Sequence, residues 1–229
     1  MITNEIESFT CKNVLYADIL GFSNLISKHR ETADSVLIEF HGIIKDCFKE
    51  SDGKKIFYRV FSDQVVAGFK ELKEAVDYSK QIFYKSFCKK IPLRGTIGIG
   101  DFTYRPDPNN NLDYTIGSGL FYSKFAEDYH VKGHTLLIVY ENNMHSISPI
   151  YHETEPFLIK GLPKEYKVDI VPWWKKDQSK ELRIEIEERM HGLTYETLFY
   201  LEKTKENMDI YFKHRDKNPG FIGWKEKSI

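Results

Sequence analysis

The chain has 229 residues, enough for one large domain or a domain with an appendage. Hydrophobic residues make up 41% and aromatic residues 14%, which excludes a disordered chain. With 33 basic against 34 acidic residues the formal net charge is -1, which excludes the basic footprint of a duplex nucleic-acid binder. The three cysteines, Cys11, Cys47 and Cys88, form no C-x-x-C, so neither a disulfide framework nor a structural zinc site is expected and a reduced, cytoplasmic setting is the simplest reading. Met1 to Glu7 has neither a basic nor an apolar signal region, and no apolar run approaches the roughly 18 residues of a membrane span, so no membrane association is expected.

In chain order, residues 13 to 18 read as a buried strand that ends in Asp18 and turns at Gly21 into a short helix from Phe22 to about His29. Val36, Leu37, Phe40, Ile43, Ile44, Cys47 and Phe48 recur at helical spacing, and Ser51-Asp52-Gly53 is the expected stop. Two β-rich runs, Ile56 to Phe61 and Val65 to Phe69, flank Ser62-Asp63-Gln64, which predicts a hairpin with Asp63 at its tip. Leu72 to Phe87 carries a second helical face, and a strand begins at Pro92 and runs through Arg94, Ile97 and Ile99. Gly95, Gly98 and Gly100 in that strand predict close approach of a backbone or a ligand.

Arg105 to Asn111 reads as a loop, Tyr114 to Gly117 as a short strand, Ser118 to about Tyr129 as a helix and Thr135 to Val139 as a strand. Phe157 to Ile159 and Tyr166 to Val171 predict a final hairpin. The expected class is α+β, with one mainly antiparallel sheet. After Pro172-Trp173-Trp174 the composition turns charge-rich, so residues 1–174 are taken as the main domain and 175–229 as a helical appendage. His130 and His134 have H-x₃-H spacing, but Gly133 interrupts any helical face and argues against a zinc pair.

The chemistry-bearing residues are Asp18 at a strand end, Asp63 at a hairpin tip and Arg94. Two carboxylates converging on sheet ends can hold one or two Mg²⁺ ions against a triphosphate. Gly21 lets the backbone turn so that the N–H groups near Phe22 and Ser23 can meet phosphate oxygens. Arg94 would supply a forked donor for the same charge.

These residues carry a resemblance. Asp18-Ile19-Leu20-Gly21-Phe22 is similar to the D-[IV]-x-G-F segment of class III nucleotide cyclases. Arg59 to Asp63 resembles their K-x-x-G-D, Arg94 to Gly100 their R-x-G-I-x-x-G and Ile116-Gly117 their W-G, with Glu127 matching the glutamate ten residues on. Order and spacing agree from about residue 13 to 128. The departures are Ser62 for the glycine, Arg59 for the base-reading lysine, Tyr114 for an aspartate, and Phe121 and Phe125 at the transition-state Asn and Arg positions. Those departures resemble the pyrimidine cyclases of bacterial Pycsar antiphage systems.

The resemblance implies a cyclase-homology, ferredoxin-like palm fold and a homodimer with active sites at its interface. It implies two Mg²⁺ or Mn²⁺ ions per site, held by Asp18, Ile19 and Asp63, and phosphate contacts from Gly21, Phe22, Ser23 and Arg94. Tyr58, Arg59 and Tyr114 would read the base. The expected substrate is UTP, with CTP the alternative, and the cyclic product would act on a cyclic-nucleotide-responsive effector. Two further readings stay open: a degenerate nucleotide-binding module, and a diguanylate cyclase, which Phe61-Ser62 in place of twin glycines disfavours.

Overall fold

The computed structural model describes residues 2–3, 8–49, 56–107, 112–142, 154–157, 163–174, 181, 184–186 and 195–216. The strands are β1 (Ile2–Thr3), β2 (Phe9–Ile19), β3 (Phe57–Phe61), β4 (Gln64–Phe69), β5 (Leu93–Asp107), β6 (Leu112–Ile116), β7 (Thr135–Glu141), β8 (Glu155–Pro156) and β9 (Tyr166–Ile170). The helices are α1 (Phe22–Lys28), α2 (Arg30–Lys49), α3 (Leu72–Cys88), α4 (Ser118–Ser123), α5 (Phe125–Asp128) and α6 (Tyr195–Asp216). All strands join one sheet in the order β1-β3-β4-β2-β5-β7-β9-β8, with β6 paired to β5. The β5–β7 pair is parallel and the others are antiparallel, which is the expected α+β layout.

β2 is central because both of its faces are covered. Leu15, Ala17 and Ile19 meet the main core under α2 and α3, where Phe40, Ile44, Ile82 and Phe83 are fully buried. Phe9, Cys11 and Val14 join Phe57, Phe102 and Tyr104 in a smaller cluster on the other side. Burial pushes the Cys11 thiol up to about 11, against weaker contrary pulls from the Asn13 and Phe69 backbones, which leaves it an inert core group.

The β5 glycines have two different neighbours. A Cβ on Gly98 would stand 2.3 Å from the Gly119 carbonyl, and one on Gly100 would stand 2.7 Å from the Gly119 nitrogen. There α4 lies directly on the strand, so the expected close approach is that of a helix backbone. Gly95 instead faces Ala17 and the Phe83 ring, each within 2.9 Å of an added Cβ.

Several boundaries move. β2 starts at Phe9, earlier than its apolar run. Arg105–Asp107, read as loop, extends β5 and pairs with β6. The ladder supplies partners that the turn-like composition concealed, and Pro106 is tolerated beyond the central strands. The helix expected over 118–129 breaks at Lys124 into α4 and α5. In the last hairpin the strand is Glu155–Pro156, just before Phe157, and residues 158–160 lie outside the described residues. The Ser51-Asp52-Gly53 stop also lies outside them.

His134 is buried and uses both ring nitrogens: Nδ1 accepts from the Leu93 N–H at 2.8 Å and Nε2 donates to the Phe83 carbonyl at 3.0 Å. Trp173 donates to the His134 carbonyl at 3.1 Å and stacks edge-on against its ring. α6 closes this corner. Asn207 donates to the Lys132 carbonyl and to Thr135 Oγ1, and Tyr211 packs edge-on against Trp174. Among the described residues no helix is long and apolar enough to cross a membrane.

Candidate active site

Strand alternation turns Leu15, Ala17 and Ile19 towards the helices, so Tyr16 and Asp18 face the opposite side. Asp63 sits in the two-residue turn between β3 and β4, where the Ile19 N–H donates to its carbonyl at 3.0 Å. Asp18 lies opposite Gln64 in the β2–β4 ladder, so backbone pairing brings both aspartates to one corner of the sheet. On its other flank Asp18 pairs in register with Arg94 of β5. The guanidinium forks onto the carboxylate, Nε to Oδ1 at 3.0 Å and Nη2 to Oδ2 at 2.6 Å, with both side chains about nine-tenths buried.

The corner is crowded with negative charge. Burial pushes Asp18 above the ordinary carboxylate range despite Arg94, and Glu127 and Asp63 push the same way. Burial also raises Asp63, with Glu127 adding to it and the Ser62 hydroxyl opposing it. Tyr16 is raised well above an ordinary phenol by burial and then by Glu127, Asp18 and Asp63, and its buried hydroxyl has no well-formed hydrogen bond. A bound divalent cation would offset the negative charge gathered at this corner. Among the described residues no cluster of three or more His, Cys, Asp or Glu side chains could cage a metal alone. Mg²⁺ commonly takes one or two carboxylates and completes its shell with water and substrate phosphates, so this donor set fits it.

The phosphate-binding candidates follow directly. Gly21 adopts φ 74°, the left-handed region open to glycine, and α1 starts with no side-chain cap. Phe22 is buried and Ser23 exposed in its first turn. Ser62, where the resembling pattern has glycine, also adopts a left-handed φ of 52°. His41 Nε2 donates to its carbonyl at 2.8 Å.

The base-reading candidates do not come together within one chain. Tyr58 faces the helices and stacks on Phe48, with ring centroids 4.6 Å apart. Arg59, its neighbour, faces the other side, where it is buried over the Tyr104 ring and donates to the Tyr104 hydroxyl. It also pairs with Asp113 at 3.3 Å. Tyr114 shares a face with Arg105 and lines a shallow depression with Thr103 and Ile116, away from Arg59. Sequence reading missed Asp113, although it stands one residue before Tyr114. It missed Tyr16 as well, although alternation puts Tyr16 on the face of Asp18.

No protein-family model matches the sequence, and no curated protein is significantly similar to it. Solved structures do resemble it. The adenylyl cyclase CyaB from P. aeruginosa aligns at 17% identity and TM-score 0.55, covering 75% of this chain and 99% of that one. An adenylate/guanylate cyclase/hydrolase from Silicibacter pomeroyi aligns at 16% identity and TM-score 0.52, covering 72% and 98%. A monomeric adenylate cyclase from Trypanosoma brucei aligns at 11% identity and TM-score 0.50, covering 72% and 88%. The mainly antiparallel sheet, its flanking helices and these alignments together give the protein the fold of the class III nucleotide cyclases.

Proposed function

We propose that the protein is a pyrimidine nucleotide cyclase that converts UTP to 3′,5′-cyclic UMP and pyrophosphate. The observation that carries this reading is the corner where Asp18, Asp63 and Arg94 meet on a cyclase fold. In the reaction the 3′-oxygen forms a bond to the α-phosphorus. The bond from that phosphorus to the α,β-bridging oxygen breaks, pyrophosphate leaves with that oxygen, and the hydroxyl proton passes to solvent. Asp18, Asp63 and the Ile19 backbone would hold one or two Mg²⁺ or Mn²⁺ ions. When bound, such ions lower the pKa of the attacking hydroxyl and offset phosphate charge.

The chain's own groups bind and orient the nucleotide. The first-turn N–H groups of Phe22 and Ser23, beyond the Gly21 turn, suit phosphate oxygens. Arg94 offers a fork that Asp18 and the triphosphate would compete for. Arg59 and Asp113 together present donors beside an acceptor. Uracil matches that pair with O4 towards Arg59 and N3–H towards Asp113; cytosine presents the reverse order. Arg59→Ala should erode the preference for UTP over CTP by about 5- to 150-fold, the value of one good bidentate contact of about 1–3 kcal/mol.

A homodimer with composite sites extends this reading. Its support is the exposed apolar surface of β6 and α4, where Tyr114, Ile116 and Phe121 are 53%, 73% and 58% exposed. The resemblance to Pycsar enzymes suggests antiphage signalling through a cyclic-nucleotide-responsive effector.

Incubation with an equimolar mixture of UTP, CTP, ATP and GTP and Mn²⁺, followed by product identification, tests the proposal. Cyclic UMP is expected. Dominant cyclic CMP would overturn the Arg59 argument alone, and dominant cyclic AMP the pyrimidine reading. A nucleotide-binding module without turnover is the second reading, favoured by the Arg94 fork occupying both Asp18 oxygens. Nucleotide binding with no cyclic product would establish it.

A further inference from the structure

We propose that Lys124 supplies a cationic contact to the triphosphate of a nucleotide bound at Asp18 and Asp63. The inference rests on the cyclase reading above and adds a residue to that site. A nucleoside triphosphate brings roughly four negative charges to a corner that already holds Asp18, Asp63 and Glu127. Arg94 is committed to Asp18 through two hydrogen bonds. Even two divalent ions would leave this assembly net negative, so the corner calls for another cation.

Lys124 is placed to be that cation. It ends α4 and precedes α5, at the break that the sequence did not predict. Its ammonium stands 5.3 Å from the centroid of the Tyr16 ring, and Tyr16 lies two residues before Asp18 on the same face. The residue is exposed and makes no ion pair among the described residues. The next residue, Phe125, turns the other way and is buried against Tyr129 and Tyr166. Phe125 is thus turned into the core while Lys124 stays exposed beside Tyr16.

The Tyr16 hydroxyl itself is buried, and Glu127 is the side chain that acts on it most strongly. A flexible ammonium suits phosphate oxygens as a point charge and needs no fixed fork geometry.

The test uses the full chain as wild type, Lys124→Ala and Lys124→Arg, with two readouts. One is affinity for inorganic triphosphate with Mg²⁺, by calorimetry. The other is kcat and KM for cyclic UMP formation with saturating Mn²⁺. Lys124→Ala should weaken triphosphate binding and lower kcat/KM by at least about tenfold, equivalent to 1.4 kcal/mol. Lys124→Arg should recover most of both, and the melting temperature should not move. A lysine that only stacks on Tyr16 would leave triphosphate affinity unchanged, and that result overturns the proposal while an inactive Asp63→Ala leaves the cyclase reading standing. If wild type makes no cyclic product yet triphosphate binding depends on Lys124, the contact stands and the cyclase reading falls.

Discussion

Two aspartates in one sheet, Asp18 on β2 and Asp169 on β9, are both buried, and burial pushes both above the ordinary carboxylate range. Their partners differ. Asp169 Oδ2 accepts from two neutral hydroxyls, Tyr140 Oη and Thr154 Oγ1, each at 3.1 Å. Asp18 is gripped by a guanidinium and faces two further carboxylates, Asp63 and Glu127. The first arrangement is closed: two hydroxyl donors hold the carboxylate, and the one further charge acting on it, Lys167, is of opposite sign. The second is unbalanced, with charges that a metal or a phosphate could take as partners. A buried carboxylate is therefore read by the charge of its surroundings rather than by its burial.

The same substitution at both positions gives the sharpest test. Asp18→Asn keeps an acceptor for Arg94 but removes the charge that would hold a cation. Turnover should fall by about 10³-fold or more, on the order of 4 kcal/mol of barrier, with circular dichroism unchanged. Asp169→Asn keeps an acceptor for both hydroxyls, and activity per folded molecule should match wild type. Equal losses at the two sites would break the comparison.

Next in size is Asp169→Ala, which leaves the Tyr140 and Thr154 hydroxyls buried without their acceptor. Stability should drop by about 1–3 kcal/mol in urea unfolding, with kcat per folded molecule unaffected. A variant as stable as wild type would mean that this network does not hold the sheet edge.

The pH dependence follows from the raised Asp169 value. A carboxyl with a folded pKa above its unfolded one binds the proton more tightly when folded. Its contribution is fully present below the ordinary value of about 3.9 and is lost as pH rises through the folded value. Asp169→Asn removes that dependence, so its stability relative to wild type should improve as pH rises from about 4 towards neutrality. Urea titrations across that window check it; a constant difference would remove the burial argument.

The smallest effect concerns Ser62. A non-glycine residue at φ 52° carries strain on the order of 1 kcal/mol, which Ser62→Gly would relieve. Glycine also loses the hydroxyl that holds Asp63 down. The variant should be more stable by up to about 1 kcal/mol in thermal unfolding, while the activity profile shifts towards higher pH as Asp63 becomes harder to ionise.

Much of this was legible locally. The all-apolar approach to Asp18, the helical spacing of α2 and α3, and the β–turn–β pattern around Asp63 each lie within one element, where side-chain period and turn chemistry decide the outcome. Alternation alone also required Tyr58 and Arg59 to face opposite sides, so their separation could have been read from the sequence.

By itself, then, the sequence determined which residues end strands, which faces are apolar and that Gly98 and Gly100 must admit a close neighbour. Only the tertiary structure decided that Arg94 grips Asp18, that Asp113 rather than Tyr114 meets Arg59, and that a broken helix sets Lys124 over Tyr16. Those contacts join residues far apart in the chain through strand register and helix docking. Such pairings are fixed by the collective packing of the sheet, and no local period encodes them.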